Sequence, residues 1–191
     1  MNTRQTHAFY TGTAKILHWF MAALWIAIWV IGFTAVHWRD VYNHHFQLTF
    51  LHKALASTIL LLTVLRIFWR LKHPPPAMPE TLSALMQRLA HLGHLGIYAL
   101  ALIVLPISGW YWSSVADKPI LMLGLIHIPP LVAADQSLYA TAKWIHTLIA
   151  WSCGLIILGH ILAALKHHFV DRDAVLRQML PNCRSSSRTH D

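Results

Sequence analysis

Residues 139–168 read YATAKWIHTLIAWSCGLIILGHILAALKHH, and this apolar stretch decides the class of fold. Apart from histidine, it carries no acidic or basic side chain between Lys143 and Lys166. About 20 apolar residues in a row are enough for a helix to cross a hydrocarbon core of about 30 Å. Three further segments of this kind occupy residues 14–38, 48–71 and 91–113. Because backbone polar groups inside a membrane must be satisfied within the segment, the sequence predicts an all-α membrane protein with a bundle of four transmembrane helices.

The composition of the chain agrees with this class. Of 191 residues, 56% are hydrophobic and 12% are charged, whereas soluble domains carry about 25% charged residues. The net charge of +8 would suit nucleic-acid binding in a soluble protein, but no basic run is interleaved with aromatic side chains as such binding requires. We therefore predict membrane lipid and no nucleic acid as partner, one domain over residues 1–181, and a polar, disordered tail at 182–191.

The basic residues predict the orientation of the helices. Eleven of the 15 Lys and Arg fall on the side that holds both termini. The other four, Arg39, Lys53, Lys118 and Lys143, fall on the opposite side. Since basic residues collect on the cytoplasmic side, both termini are predicted to be cytoplasmic, and a bacterial inner (cytoplasmic) membrane is the natural setting.

The outer connection between the third and fourth spans is itself apolar. It contains KPILMLGLIHIPPLV at residues 118–132, which is too short to span a membrane. We expect a helix or a re-entrant segment that lies at the membrane interface.

Four histidines inside the spans form two levels. His146 and His160 lie 14 residues apart, so on one helix they share a face within about 40° and stand about 21 Å apart along the axis. His18 lies about one turn inside the first helix, at the depth of His160, and His52 about one turn inside the second, at the depth of His146. Ionisable residues at such depths are functional candidates, although a single histidine could simply hydrogen-bond across helices.

Two histidine pairs in an apolar bundle suit a six-coordinate haem b at each level. Zinc wants about four ligands per site, and all seven acidic residues lie outside the spans, which also argues against a proton pump or a cation transporter. No C-x-x-C-H is present, so a covalently attached c-type haem is excluded. Four flanking basic residues could neutralise haem propionates or simply reach to the interface: Lys53, Lys143, Arg66 and Arg70.

Six blocks of sequence carry a family resemblance. They are KILHWFMA (15–22), LHKALASTILLLTVLRIFWR (51–70), LAHLGHLGIYALALIVLPISGW (89–110), GLIHIPPL (124–131), KWIHTLIAW (143–151) and GHILAALKHHF (159–169). In this order and spacing, the chain from about residue 10 to residue 181 resembles the bacterial cytochrome b561 family, which is related to the cytochrome b subunits of nickel–iron hydrogenases. The resemblance implies two b haems in the core of the four-helix bundle. It also implies the iron ligands His18 with His160 and His52 with His146, the pairing that the depths predict.

The resemblance further implies quinone as electron partner, with ubiquinone as the expected acceptor. At least one member of the family is similar to a superoxide oxidase, so the chain is expected to relay electrons from a periplasmic-side donor, superoxide among the candidates, to quinone. The outer residues Arg39, Lys53 and Lys143 could attract such an anion. Two alternatives stay open: an electron-transfer subunit that serves a separate dehydrogenase or periplasmic redox partner and has no activity alone, and a non-redox membrane binding module.

Three further histidines keep open roles. His167 lies two turns beyond His160 on nearly the same face. It could donate a hydrogen bond to a quinone carbonyl, and histidine exchanges protons near neutral pH, or it could be an interfacial histidine beside His168. His91 and His94 match the third-helix block of the family, but no partner is predicted at their depth, so they are not assigned as ligands.

Overall fold

Four long helices dominate the computed structural model, which describes residues 9–76 and 83–181. They are α1 (Gly12–His37), α2 (Gln47–Lys72), α3 (Ala84–Val115) and α4 (Tyr139–Phe169). Each is long and apolar enough to cross a membrane. The predicted fold class, an all-α bundle of four transmembrane helices, is confirmed. Helix α3 begins ahead of the predicted residue 91, where the Ser83 hydroxyl accepts a hydrogen bond from a first-turn amide at 3.3 Å and so caps the helix.

Shorter elements connect and follow the spans. One helical turn comes after α1 at Arg39–Tyr42, strands β1 (Ile120–Met122) and β2 (Ile126–Ile128) separate α3 from α4, a 3-10 turn at Gln136–Leu138 leads into α4, and α5 (Val175–Met179) comes after it. The end of the bundle with β1 and β2 is called the hairpin end below. The opposite end, where α1 begins and α4 ends, is called the basic end.

The helices pack around a small central core. Helix α1 packs along α2, and the second half of α3 packs along α4. The core includes Met21, Trp25, Ile59 and Cys153, all buried. Many other large apolar side chains, such as Leu155, point outwards and are exposed, as expected in a bundle whose surroundings are as apolar as leucine itself.

Asn43 fixes the turn between α1 and α2. It is 1% exposed, and its amide nitrogen donates to the Ala35 carbonyl at 3.1 Å and to Thr49 Oγ1 at 2.8 Å. Its side-chain oxygen accepts from the Leu48 amide at 2.9 Å, which satisfies a first-turn donor of α2 that has no partner within the helix. Asn43 therefore sets the register at which α1 meets α2.

The middle of α3, Ile97–Val104, is a π-helix, in which each carbonyl accepts from the amide five residues ahead. Pro106 follows at once, and proline removes the hydrogen bond to the carbonyl four residues back and clashes with it. That carbonyl belongs to Leu102, and Thr63 Oγ1 lies 3.4 Å from it. Trp25 Nε1 donates to the preceding carbonyl at 3.2 Å. The hydroxyl hydrogen of Thr63 goes to the Ile59 carbonyl at 2.7 Å, so it is Trp25 of α1 that satisfies a backbone carbonyl where the α3 hydrogen bonding is disturbed, as membrane helices require.

The apolar connection at the hairpin end is a β-hairpin, so the predicted helix or re-entrant segment is wrong. Strand β1 pairs antiparallel with β2. Pro119 and Pro129 flank the strands and interrupt any helix there, while Gly124 takes a φ of 74° that glycine adopts without strain. The Leu123 amide donates to the Ala54 carbonyl at 3.2 Å, which docks the hairpin on α2.

Helix α5 folds back onto the start of α1. Trp19 Nε1 donates to the Met179 carbonyl and Lys15 Nζ to the Leu180 carbonyl, both at 2.9 Å. The predicted tail, residues 182–191, lies outside the described residues.

Candidate functional site

The structure brings the predicted histidines together as two pairs at opposite ends of the bundle. At the basic end, the ring centroids of His18 and His160 are 6.3 Å apart. At the hairpin end, those of His52 and His146 are 6.4 Å apart. Two imidazoles on opposite sides of one iron have centroids about 6–6.5 Å apart, given metal–nitrogen bonds of about 2.0–2.1 Å and about 1 Å from ring centre to nitrogen. Both pairs therefore have the spacing that a six-coordinate haem needs.

At the hairpin end, both imidazoles have the hydrogen bonding of iron ligands. His52 Nδ1 lies 2.9 Å from the Ile28 carbonyl, which only accepts, so Nδ1 carries the hydrogen. His146 Nδ1 lies 2.9 Å from Ser108 Oγ, whose own hydrogen goes to the Leu105 carbonyl at 2.7 Å. The serine oxygen therefore accepts from Nδ1. In both rings Nε2 keeps its lone pair, and a metal-bound histidine typically donates its other N–H in this way.

Two glycines make room for these rings. A Cβ at Gly32 on α1 would lie 2.8 Å from Cε1 and Nδ1 of His52, and a Cβ at Gly109 on α3 would lie 3.0 Å from Cε1 of His146. The two helices can approach the imidazoles this closely only because no side chain is present. Sequence reasoning missed Gly32, Gly109 and Ser108. Glycines within apolar spans were the available signal, because a helix interior disfavours glycine without a packing reason.

A buried donor at the hairpin end also fits haem. Trp112 Nε1 is buried without a hydrogen-bond partner among the described residues, although a buried indole N–H usually finds an acceptor. The ring of Trp112 lies 5.7 Å from that of His146. A haem held by this pair brings carboxylate acceptors of the kind that this donor needs.

The pair at the basic end has a different neighbour, Arg66. Its Nη2 lies 3.1 Å from His18 Nδ1, and its Nε donates to the Tyr98 hydroxyl at 2.9 Å. A guanidinium only donates, so His18 Nδ1 accepts here and the hydrogen sits on Nε2. Binding of iron through Nε2 requires Arg66 to find another acceptor, and a haem propionate is one. The sequence left two roles open for Arg66, a propionate partner and an interfacial side chain, and in the structure its guanidinium contacts His18 and Tyr98.

A third histidine lies beside the basic-end pair. The ring centroid of His94 is 5.5 Å from that of His160, so the prediction that His94 has no partner at its depth is wrong. The prediction began the third span at residue 91, whereas α3 begins at Ala84, which places His94 about three turns inside the helix and beside His160. His91 lies one turn earlier on α3 and is exposed.

His167 lies within an ion-pair network at the end of α4. Its Nδ1 is 2.6 Å from Asp173 Oδ2 and 3.2 Å from Asp171 Oδ2. Lys166 Nζ lies 2.6 and 2.7 Å from the two oxygens of Asp171. Although one His and two Asp ligand atoms lie within 4.8 Å of one another, the lysine already neutralises one carboxylate. The hydrogen bond to Asp173 orients the His167 ring and leaves Nε2 for another partner.

The hairpin end also has a small cavity that the sequence did not predict. Its volume is about 110 Å³, and its lining includes Ser113, Asp117, Lys118 and His127. Lys53 is bonded to two of the lining residues, since its Nζ donates to Ser113 Oγ at 3.2 Å and to the Pro119 carbonyl at 2.7 Å. Lys53 is therefore held next to the hairpin. Together with Lys118, it places two lysines at this cavity, at the same end of the bundle as His52.

Comparison with known proteins places the chain in a family. The family model described as prokaryotic cytochrome b561 matches residues 10–182. A relative named cytochrome b561 homolog 2, from Escherichia coli K12, is 29% identical over 180 residues, which is 94% of this chain and 95% of the relative. A relative named probable superoxide oxidase CybB, from Yersinia pestis, is 32% identical over 170 residues, 88% of this chain and 93% of the relative. The chain therefore belongs to the prokaryotic cytochrome b561 family of haem b proteins, which carry out electron transfer in membranes.

Proposed function

We propose that this protein is a two-haem membrane cytochrome b that relays electrons from a donor at the hairpin end to a quinone at the basic end. The observation that carries the proposal is the spacing of the two pairs, His18 with His160 and His52 with His146, at 6.3 and 6.4 Å. Bound haem b supplies one-electron exchange at an iron that needs no open coordination position. The task of the chain is to hold the four imidazoles and to place charge around them.

The acceptor in this proposal is ubiquinone, bound near His167. The hydrogen bond from His167 Nδ1 to Asp173 at 2.6 Å orients the ring, and the imidazolium form then has a second N–H, at Nε2, to donate to a quinone carbonyl. His167 lies seven residues beyond His160, about 10 Å along α4. Reduction of ubiquinone to ubiquinol consumes two electrons and two protons, and the partly exposed carboxylates of Asp171 and Asp173 at His167 Nδ1 can pass protons from water to the ring.

The donor in this proposal is superoxide. Support comes from the Yersinia pestis relative, named a probable superoxide oxidase and 32% identical, and from the cavity of about 110 Å³ at the hairpin end. Lys118 lines that cavity and Lys53 is bonded to two of its lining residues, so positive charge can attract a small anion. Asp117 also lines it and weakens the attraction. Two superoxide ions lose one electron each and become O₂, and one ubiquinone receives both electrons.

We further infer a bacterial inner-membrane location with both termini in the cytoplasm, and a single functional unit over residues 1–181. The excess of basic residues at the basic end supports the orientation, since eight of the twelve Lys and Arg within residues 9–76 and 83–181 lie on that side. The hairpin end then faces the periplasm, where superoxide or a periplasmic redox partner would meet the protein.

The test is a visible absorption spectrum of the purified protein with quantified haem, recorded as superoxide is generated enzymatically with ubiquinone present. Two haems per chain, b-type bands that reduce, and ubiquinol formation are expected. Haem that superoxide does not reduce, but that a co-purified partner does reduce, would instead identify an electron-transfer subunit without activity of its own. A protein without haem absorbance would overturn the proposal and favour a non-redox membrane binding module.

A further inference from the structure

Two of the four proposed ligands donate a hydrogen bond from Nδ1: His52 to the Ile28 carbonyl and His146 to the Ser108 hydroxyl. His18 Nδ1 instead accepts from Arg66. Within residues 9–76 and 83–181, no hydrogen bond joins either ring nitrogen of His160 to a protein group. Metal-bound histidines almost always donate the second ring N–H, because that bond fixes the tautomer and the ring orientation. His160 therefore needs an acceptor.

His94 is the side chain placed to be that acceptor. Its ring centroid is 5.5 Å from that of His160, with the ring planes at 80°. Its Nδ1 lies 2.7 Å from the Ala90 carbonyl, which only accepts, so Nδ1 carries the hydrogen and Nε2 of the neutral ring has a free lone pair. A direct N–H···N bond of about 2.9 Å corresponds to centroids about 5 Å apart, so a small rotation of either side chain completes it.

The neighbouring groups leave His94 as the suitable partner. Arg66 lies on the His18 side of the pair and only donates, so it cannot accept from His160. Trp19 packs edge-on against His18, and its Nε1 is already bonded to the Met179 carbonyl. His94 alone among these side chains offers a nitrogen lone pair.

We propose that His94 is a positioning residue for the basic-end haem, accepting a hydrogen bond from Nδ1 of His160. The proposal rests on the assignment of His160 as a ligand in the proposed function. The chain of bonds from His160 through His94 to the Ala90 carbonyl commits His160 to the Nδ1–H tautomer and keeps Nε2 for iron. The same bond makes the imidazole a stronger electron donor, which favours the oxidised iron and lowers the reduction potential of that haem.

The decisive variant is His94→Phe, which keeps a ring of similar shape and removes the acceptor. Its matched control is His91→Phe, one turn earlier on the same helix and exposed. Both are purified with haem and titrated potentiometrically while the visible and low-spin electron paramagnetic resonance spectra are followed. His94→Phe is expected to keep two haems and to shift one of them by about tenfold in its oxidised-to-reduced ratio, which is about 59 mV upwards for one electron. His91→Phe is expected to leave both potentials unchanged.

A conservative variant separates positioning from simple packing. The amide oxygen of Gln accepts hydrogen bonds, so His94→Gln is expected to restore at least half of the shift, whereas a packing role predicts no rescue. Unchanged potentials and resonance spectra in His94→Phe, with both haems bound, would overturn the proposal. Loss of one haem in both His94 variants would also overturn it, because His94 would then act as a ligand.

His160→Ala tests the ligand assignment itself. This variant is expected to reduce the haem content from two to one per chain. If it keeps both haems, the ligand assignment fails and the positioning role fails with it. If it loses one haem and His94→Phe changes nothing, only the positioning role fails.

Discussion

Gly32 offers the sharpest test of the hairpin-end site, because the structure shows how little room the His52 ring has. A Cβ at this position would lie 2.8 Å from Cε1 and Nδ1 of His52, whereas ordinary contact begins at 3.4 Å. The His52 ring cannot move away from Gly32, because its Nδ1 is bonded at 2.9 Å to the Ile28 carbonyl. Ile28 lies on α1, one turn before Gly32. Gly32→Ala must therefore break that bond or push α1 away from α2.

Two costs and one gain set the change in the free energy of unfolding. Overpacking of this kind typically costs about 1–3 kcal/mol, and the lost hydrogen bond adds about 1 kcal/mol. Alanine stabilises a helix interior by about 0.5–1 kcal/mol relative to glycine. The two costs are larger than the gain, so the free energy of unfolding is expected to fall by about 1–3 kcal/mol. Since about 1.4 kcal/mol is a factor of ten, haem affinity at the hairpin end is expected to fall about 10- to 100-fold.

Haem quantification and thermal unfolding check this expectation. Wild type is expected to hold two haems per chain, and Gly32→Ala is expected to lose one of them to a haem-accepting apoprotein at least tenfold faster. Gly109→Ala, where the nearest ring atom lies at 3.0 Å, is expected to show a weaker form of the same defect on the His146 side.

Gly159→Ala is the matched control. It lies beside His160 on α4, but a Cβ there would meet nothing within 4 Å. This variant is expected to keep both haems and to unfold at or above the wild-type temperature. If Gly32→Ala retains both haems with unchanged spectra and stability, the His52 ring does not lie against Gly32 as the structure shows.

Three other expectations concern single side chains. Ser108→Ala removes the acceptor of the His146 imidazole, so haem affinity at the hairpin end is expected to fall about 10–100-fold; an unchanged haem release rate would contradict this role. His167→Gln is expected to lower ubiquinone reduction at least tenfold while both haems stay bound, as measured by stopped-flow with ubiquinol detection; wild-type rates would remove His167 from the quinone site. Burial raises the pKa of Tyr10 above its usual 10.0, so the fold favours the neutral phenol, and stability is present below pH 10 and lost as the pH rises beyond it. Tyr10→Phe is therefore expected to lessen the fall in melting temperature above pH 10, and identical alkaline profiles would exclude the contribution.

The sequence predicted the spans and the level pairing because both depend on simple helix geometry. Fourteen residues separate His146 from His160, and a rise of about 1.5 Å per residue places them at opposite ends of any regular helix. The absence of acidic residues from the spans and the run length of apolar residues settled the class. Depth and face can thus be predicted from one helix at a time.

What the sequence could not predict depends on how neighbouring elements meet. The close approach of His52 to Gly32 arises only where α2 packs against α1, and the hydrogen bond of His146 to Ser108 only where α4 packs against α3. The approach of His94 to His160 depends on how the first part of α3, ahead of the π-helical segment, packs against α4. The hairpin at residues 120–128 was missed because apolarity suggested a membrane segment, while the flanking prolines and Gly124 decided the local structure.

The two ends of the bundle also differ in charge, and this difference bears on the direction of electron flow. At the hairpin end, uncharged acceptors hold both imidazoles and the charge of Lys53 is bonded to Ser113 and the Pro119 carbonyl, whereas at the basic end the charge of Arg66 lies 3.1 Å from His18 itself. A full charge several ångströms away contributes about 2–4 kcal/mol at an effective dielectric constant of 20, more than the roughly 0.5–1.5 kcal/mol of a neutral hydrogen bond such as that proposed for His94. Arg66 therefore outweighs His94 and favours the reduced iron at the basic end. Its charge acts in the same direction when it pairs with a propionate, since it then cancels a negative charge. An electron that enters at the hairpin end is therefore expected to move to the haem of higher reduction potential at the basic end, where the proposed function places the quinone.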